Sequence, residues 1–123
     1  MTHHYDPDIL ALSPAEVRAG MQAGTVLLLD VRSDALYERS GERVPGDRRF
    51  PAGPGPAELA SLDSDRLVVA YCDCPGEAGS FGFGTSLRRA GFPRVGVLVG
   101  GLAGWKAAGL ASEPVPDLGR GEG

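Results

Sequence analysis

The fold is decided by residues 66–80, RLVVAYCDCPGEAGS, in which a short apolar run leads into a loop that contains cysteine and glycine. The run is bounded by turn-forming residues, so residues 66–71 are predicted to form a strand that is buried on both faces, as in a parallel sheet. A helix is predicted to follow the loop over residues 80–90. A strand that passes through a loop into a helix is the repeating unit of α/β proteins.

The same alternation extends along the rest of the chain. Nearly continuous apolar runs predict buried strands over residues 25–31 and 94–99, and a short strand is expected near residues 48–50. The first helix is expected to begin after Ser13, which can cap it, with Glu16 completing a capping box. Further helices are predicted over residues 34–39, 57–62 and 102–108. We therefore predict an α/β fold, with a parallel sheet flanked by helices on both faces.

The chain has 123 residues and a formal net charge of −4. This length suits one domain, which we place at residues 9–113, between a flexible N-terminus (1–8) and a disordered C-terminal tail (114–123). The acidic balance argues against nucleic acid as a partner, since phosphate binding needs a basic face. No apolar run approaches the roughly 20 residues of a membrane span, and no secretory signal is present, so we predict a cytoplasmic protein. Nothing in the sequence demands more than a monomer.

The chemistry is expected at the carboxyl ends of the strands, where parallel sheets bind their ligands. This edge brings together Asp30, Arg32 and Cys72. Backbone N–H groups of the loop and the dipole of the next helix favour a thiolate, so Cys72 is a candidate nucleophile. The loop that would hold a bound anion or sulfur atom consists of Asp73, Cys74, Pro75, Gly76, Glu77, Ala78, Gly79 and Ser80. Alternatively, Cys72 is a small buried hydrophobic residue without reactivity.

The chain has two cysteines, Cys72 and Cys74, and two histidines, His3 and His4. A structural zinc site usually takes four ligands in a tetrahedral arrangement, and histidines in a frayed N-terminus are poorly placed to supply two of them. We therefore predict neither a metal site nor an organic cofactor.

Four segments resemble those of the rhodanese family and occur in the family's order. They are residues 29–32 (LDVR) with Tyr37, residues 44–46 (VPG), residues 68–72 (VVAYC) and residues 97–110 (VLVGGLAGWKAAGL). The resemblance implies a rhodanese-like, five-stranded parallel sheet flanked by helices on both faces. It also implies a cysteine that takes sulfane sulfur as a persulfide and passes it to a nucleophilic acceptor, while N–H groups of the loop stabilise the charge.

The loop after the strand departs from the family pattern. That pattern has six residues, which begin with the cysteine and often end in arginine, before a serine or alanine that opens the helix. Counted from Cys72 to Ser80, the loop is two residues too long, whereas counted from Cys74 it has the usual length. The strand match favours Cys72 as the nucleophile and the loop length favours Cys74. We take Cys72 as the first candidate and Cys74 as the alternative.

The loop also lacks the family's arginine, because Gly79 takes its position, and Asp73 and Glu77 add negative charge. Both changes should weaken the binding of a dianion such as thiosulfate. They also argue against a phosphatase or an arsenate reductase, which would need that arginine more. Arg32 is the nearest candidate to replace it. Asp30 is expected to be structural, and Glu77 is expected to cap the helix.

The favoured function is that of a sulfurtransferase or persulfide carrier. Its partners would be a small-molecule sulfur donor, such as thiosulfate or a persulfide, or a persulfide-carrying protein, with a thiol or cyanide as acceptor. Two alternatives from other classes stay open. One is a non-catalytic rhodanese-like binding or regulatory module, and the other is a thiol-disulfide redox protein that uses Cys72 and Cys74.

Overall fold

The computed structural model of the protein describes residues 8–51, 53–72 and 78–116. Within that part of the chain, every predicted helix is present, as are the strands predicted over residues 25–31, 48–50, 66–71 and 94–99. In chain order they are β1 (Leu10–Leu12), α1 (Pro14–Ala23), β2 (Val26–Asp30), α2 (Asp34–Ser40), β3 (Glu42–Arg43), β4 (Arg48–Arg49), α3 (Pro56–Ala60), β5 (Leu67–Tyr71), α4 (Ala78–Arg89), β6 (Val95–Leu98), α5 (Gly101–Ala107) and β7 (Glu113–Pro114).

Five of these strands form one sheet in the order β1-β6-β5-β2-β4, and every neighbouring pair is parallel. This confirms the predicted five-stranded parallel sheet. β5 lies at its centre, between β6 and β2, so its last residue, Tyr71, lies in the middle of the edge where such sheets bind ligands. Asp30, the last residue of β2, is the register partner of Tyr71.

Side chains alternate between the two faces of the sheet, and helices cover both faces. On β5, Val68 and Ala70 pack on one face together with Cys72, whereas Val69 and Tyr71 pack on the other. The first face lies against α3 and α4, and the second lies against α1 and α5. Burial on both faces explains why this strand is a continuous apolar run in the sequence.

The first helix begins as its sequence predicts. The Ser13 hydroxyl accepts a hydrogen bond from the Glu16 backbone N–H, and the Glu16 carboxylate accepts one from the Ser13 N–H. Two backbone donors at the helix start are thereby satisfied. Val17, one residue further along, is fully buried against the sheet.

Two short strands outside the main sheet correct the prediction for the C-terminus. β7 pairs antiparallel with β3, with Glu113 opposite Arg43. The Val115 N–H then donates to the Gly41 carbonyl 3.0 Å away. The prediction that a disordered tail begins at residue 114 is therefore wrong for residues 114 and 115. Backbone pairing needs no apolar side chains, so the polar composition of this segment does not reveal it.

Smaller differences concern β1 and α3. β1 is a three-residue edge strand that pairs with β6, and a segment this short has too little periodicity to indicate a strand. α3 begins at Pro56 and ends at Ala60, one residue and two residues earlier than predicted. No helix in the described ranges is long and apolar enough to cross a membrane.

Candidate active site at Cys72

Cys72 is the first residue after the central strand, and only 3% of it is exposed. It lines a cavity of about 310 Å³ at the carboxyl edge of the sheet. The other residues that line this cavity include Ser40, Glu42, Gly100, Leu102 and Lys106. Small-molecule sites begin at about 300 Å³, so the cavity beside Cys72 is large enough for a small substrate.

The loop after Cys72 is shorter than the sequence predicts. α4 begins at Ala78 rather than at Ser80, so Ala78 and Gly79 belong to the first turn of this helix. Ser80, also assigned to the loop, is a fully buried residue of the same helix. Residues 72–77, six at most, therefore connect β5 to α4. Six residues is the length of the rhodanese loop when Cys72 is its first residue, whereas counting from Cys74 leaves at most four.

Residues 73–77, with the candidates Asp73, Cys74, Pro75, Gly76 and Glu77, lie outside the described part of the chain. The alternative nucleophile Cys74 and the predicted helix cap Glu77 are among them, and His3 and His4 also lie outside it. Among the residues that the structure describes, no three or more His, Cys, Asp or Glu side chains are grouped as a metal site would need.

Among the described residues that line the Cys72 cavity, Lys106 is the one cation and Glu42 the one anion, and they form an ion pair. Lys106 Nζ lies 2.5 Å from Glu42 Oε1, and the side chains are 51% and 40% exposed. The hydrogen bond from Lys106 is the main cause that lowers the pKa of Glu42 below its ordinary value of 4.5. Glu42 is therefore a carboxylate near neutral pH. The sequence does not single out this pair, because 64 positions separate the two residues and only the fold brings them together.

Asp30 and Arg32 form a buried ion pair at the end of β2. The Arg32 Nε and Nη2 atoms lie 2.9 and 2.8 Å from the two carboxylate oxygens of Asp30, and both side chains are fully buried. Asp30 also accepts the backbone N–H of Arg32 at 3.0 Å, which agrees with the structural role predicted for it. This geometry argues against Arg32 as the replacement for the missing loop arginine, because its guanidinium is engaged by Asp30 and Lys106 lines the cavity instead.

Arg32 connects two parts of the site. Its Nη2 atom donates to the Glu42 carbonyl at 3.0 Å, which holds β3 beside the end of β2. The guanidinium carbon also lies 5.3 and 5.4 Å from the ring centroids of Tyr37 and Tyr71, within the range of a cation–π contact. Arg32 is thus a positioning residue for the strand that brings Glu42 to the cavity.

Tyr71, the residue before Cys72, ties the central strand to the turn over residues 44–47. Its hydroxyl donates to Asp47 Oδ2 at 2.5 Å and accepts the Val44 N–H at 3.3 Å. Burial raises the pKa of Asp47, and the hydrogen bond from Tyr71 partly opposes this. Burial, followed by the neighbouring carboxylates, raises the pKa of Tyr71 far above its ordinary value, so the phenol stays neutral and acts as a hydrogen-bond donor.

The turn after β6 completes the wall of the cavity. Gly100 and Gly101 both have positive φ, +81° and +58°, a backbone conformation that residues other than glycine rarely adopt. The two glycines form a tight turn that starts α5, the helix that carries Lys106. The neighbouring Trp105 is buried, and its indole N–H donates to the Ala111 carbonyl at 2.8 Å.

The fold matches that of a known family. A family model described as a rhodanese-like domain matches residues 13–108, which is most of the chain. The protein therefore belongs to the rhodanese-like domain family, as its sequence motifs predict.

Three relatives illustrate the similarity. The thiosulfate sulfurtransferase of Pseudomonas aeruginosa is 30% identical, with a TM-score of 0.67 over 86% of this chain and 20% of that one. The rhodanese-like domain of the Alr3790 protein from Anabaena is 26% identical, with a TM-score of 0.66 over 85% of this chain and 79% of that one. An HTH-type transcriptional regulator of Mycobacterium tuberculosis is 29% identical over 116 residues, which are 91% of this chain. The chain spans about half of that regulator's length, 48%.

Proposed function

We propose that the protein is a sulfurtransferase or persulfide carrier in which Cys72 is the nucleophile. In the first half-reaction, the Cys72 thiolate attacks the outer sulfur of thiosulfate or of a persulfide. A new S–S bond forms at Cys72, the S–S bond of the donor breaks, and its electron pair leaves on sulfite or on the donor's thiolate. In the second half-reaction, an acceptor thiolate or cyanide attacks the outer sulfur of the Cys72 persulfide. The electron pair then returns to Cys72 as its thiolate.

The observation that carries the proposal is the position of Cys72 in the wall of the 310 Å³ cavity, directly after the central strand. Membership of the rhodanese-like domain family and the likeness to a thiosulfate sulfurtransferase support the type of reaction. The connection of at most six residues between β5 and α4 supports Cys72 over Cys74 as the nucleophile.

Two features of the chain would stabilise the negative charge that this reaction places on sulfur. At most five residues separate Cys72 from the amino end of α4, and the amino end of a helix favours a nearby thiolate or persulfide anion. Lys106 adds a positive charge to the cavity wall, where the loop lacks the arginine of the family pattern.

The test is the intact mass of the protein after incubation with thiosulfate or a small-molecule persulfide, with its thiols first confirmed as reduced. The wild type and Cys74→Ser are expected to gain the mass of one sulfur atom, and Cys72→Ser is expected to gain none. Cyanide should then remove the added sulfur and yield thiocyanate. A gain that disappears only in Cys74→Ser would move the nucleophile to Cys74.

A non-catalytic regulatory module is the second candidate function. It is favoured by the likeness to a protein named as a transcriptional regulator and by the absence of the loop arginine from the sequence. If no donor adds sulfur to the reduced protein, the regulatory module is favoured over the sulfurtransferase. Loss of two hydrogen masses on mild oxidation, without any sulfur adduct, would instead favour a Cys72–Cys74 disulfide and a redox protein.

We place the reaction in the cytoplasm, where thiols are kept reduced until a donor delivers sulfur. The donor would be a small molecule such as thiosulfate or a persulfide, or a persulfide-carrying protein, and the acceptor would be a thiol or cyanide.

A further inference from the structure

The Cys72 cavity is lined by an ion pair, Glu42 with Lys106. The positive charge of Lys106 in the described wall is therefore balanced by a carboxylate. Lys106 Nζ and Glu42 Oε1 lie 2.5 Å apart, and both residues line the cavity that contains Cys72. The two elements that carry them are fixed independently. β3 is held by the hydrogen bond from Arg32 to the Glu42 carbonyl, and α5 is anchored by the buried Trp105.

A pair of this kind opens easily for a suitable ligand. Ion pairs between partly exposed side chains contribute only about 0–1 kcal/mol, because water solvates both charges when they separate. A ligand that presents a cation to Glu42 and an anion to Lys106 replaces the lost contact on both sides. A dianion such as thiosulfate replaces it only at Lys106, and it then lies close to the Glu42 carboxylate. Asp73 and Glu77, next in sequence after Cys72, add further negative charge to this part of the chain.

We propose that the sulfur acceptor or donor at Cys72 is an α-amino acid thiol or its persulfide, of the size of cysteine, whose carboxylate binds Lys106 and whose ammonium binds Glu42. This inference rests on the proposed sulfur transfer and specifies its substrate class. The cavity of about 310 Å³ is near the lower limit for small-molecule sites. That volume accommodates a molecule of the size of an amino acid.

The transfer step balances without any further reactant. The thiolate of the amino acid attacks the outer sulfur of the Cys72 persulfide, and a new S–S bond forms on the acceptor. The bond between that sulfur and the Cys72 Sγ breaks, and its electron pair stays on Sγ as the thiolate. In the donor direction, the same atoms move in reverse.

The test measures how fast four thiols remove sulfur from protein that carries the Cys72 persulfide. Cysteine offers both charges, N-acetylcysteine only the carboxylate, cysteine methyl ester only the ammonium, and 2-mercaptoethanol neither. Lys106→Gln is expected to slow cysteine and N-acetylcysteine about three- to tenfold, the range of one partly exposed charge-assisted contact. Glu42→Gln is expected to slow cysteine and its methyl ester by a similar factor and to speed N-acetylcysteine. For each variant these factors are taken relative to its own rate with 2-mercaptoethanol, because that uncharged thiol reports the effect of the variant on charge at Cys72 alone.

Each thiol is compared with itself across the variants, so differences in thiol acidity cancel. Arg66→Gln is the matched control, because Arg66 forms an exposed pair with Asp63, 3.4 Å apart, just before the amino end of β5. It should leave all four rates unchanged. Equal slowing of all four thiols by Lys106→Gln and Glu42→Gln, or no slowing of any, would overturn the substrate class and leave sulfur transfer intact. Failure of Cys72 to take up sulfur from any donor would overturn the proposed function, and this inference with it.

Discussion

The guanidinium of Arg32 lies 2.8 Å from the carboxylate of Asp30, and neither side chain is exposed to solvent. The pair lies at the end of β2, beside the central strand. Arg32 also donates a hydrogen bond to the backbone carbonyl of Glu42. Asp30 and Arg32 are not among the described residues that line the Cys72 cavity. The pair instead holds the end of β2 and the backbone of Glu42 beside that cavity.

Asp30→Asn is expected to destabilise the protein strongly. The substitution preserves the shape of the side chain but leaves the Arg32 guanidinium buried without its counter-charge, which costs about 3–5 kcal/mol. The free energy of unfolding in urea at neutral pH measures the effect. Asp63→Asn, in the exposed pair with Arg66, serves as the control and should cost less than about 1 kcal/mol. Similar small losses in both variants would contradict the structural importance of the buried pair.

The central strands could be predicted because their signals are local. β5 and β2 are buried on both faces, so each is a short, nearly continuous apolar run bounded by turns. The start of α1 is just as local, since Ser13 and Glu16 are three residues apart and make both bonds of the capping box. β7 gave no such signal, because it is held by backbone pairing with a strand about 70 residues earlier.

The candidate site was predictable only in part. The position of Cys72 follows from the rule that parallel sheets bind ligands at the carboxyl ends of their strands. The pairing of Lys106 with Glu42 could not be predicted, because Glu42 lies 64 positions away in the sequence. The start of α4 was misplaced by two residues because glycine normally favours loops, whereas Gly79 lies in the first turn of this helix.

Tyr71→Phe should destabilise the protein through Asp47. The substitution removes a hydrogen bond of 2.5 Å to a carboxylate whose side chain is only 1% exposed, and it also removes the acceptor of the Val44 N–H. We expect a loss of about 1–3 kcal/mol in the free energy of unfolding, the usual cost of leaving a buried polar group without its partner. In the background of Asp47→Asn, Tyr71→Phe should cost less. Equal costs in both backgrounds would show that the two residues are not coupled.

Asp47 should also make stability depend on pH in the acid range. Burial raises the pKa of this carboxyl in the folded protein above its ordinary value of 3.8. The folded state therefore binds the proton more tightly, so this contribution to stability is present below pH 3.8 and is lost as pH rises through the raised pKa. Asp47→Asn has no carboxyl at this position, so its stability relative to the wild type should increase over that interval. Unfolding curves at a series of acid pH values measure this difference, and a decrease with rising pH would mean that the hydrogen bond from Tyr71 outweighs burial.

Gly104→Ala and Gly82→Ala should have opposite effects, although both replace a glycine within a helix. A Cβ at Gly104 would lie 2.8 Å from the Val99 carbonyl oxygen, so α5 would have to move away from the end of β6. We expect a loss of about 1–3 kcal/mol from this overpacking. Gly82 of α4 has nothing within 4 Å of the same position, and alanine there should stabilise the helix by about 0.5–1 kcal/mol. Thermal unfolding of the two variants measures both effects. Stabilisation by Gly104→Ala would show that α5 can shift away from β6 without cost. The contact between Gly104 and Val99 would then not fix the position of Lys106 at the cavity.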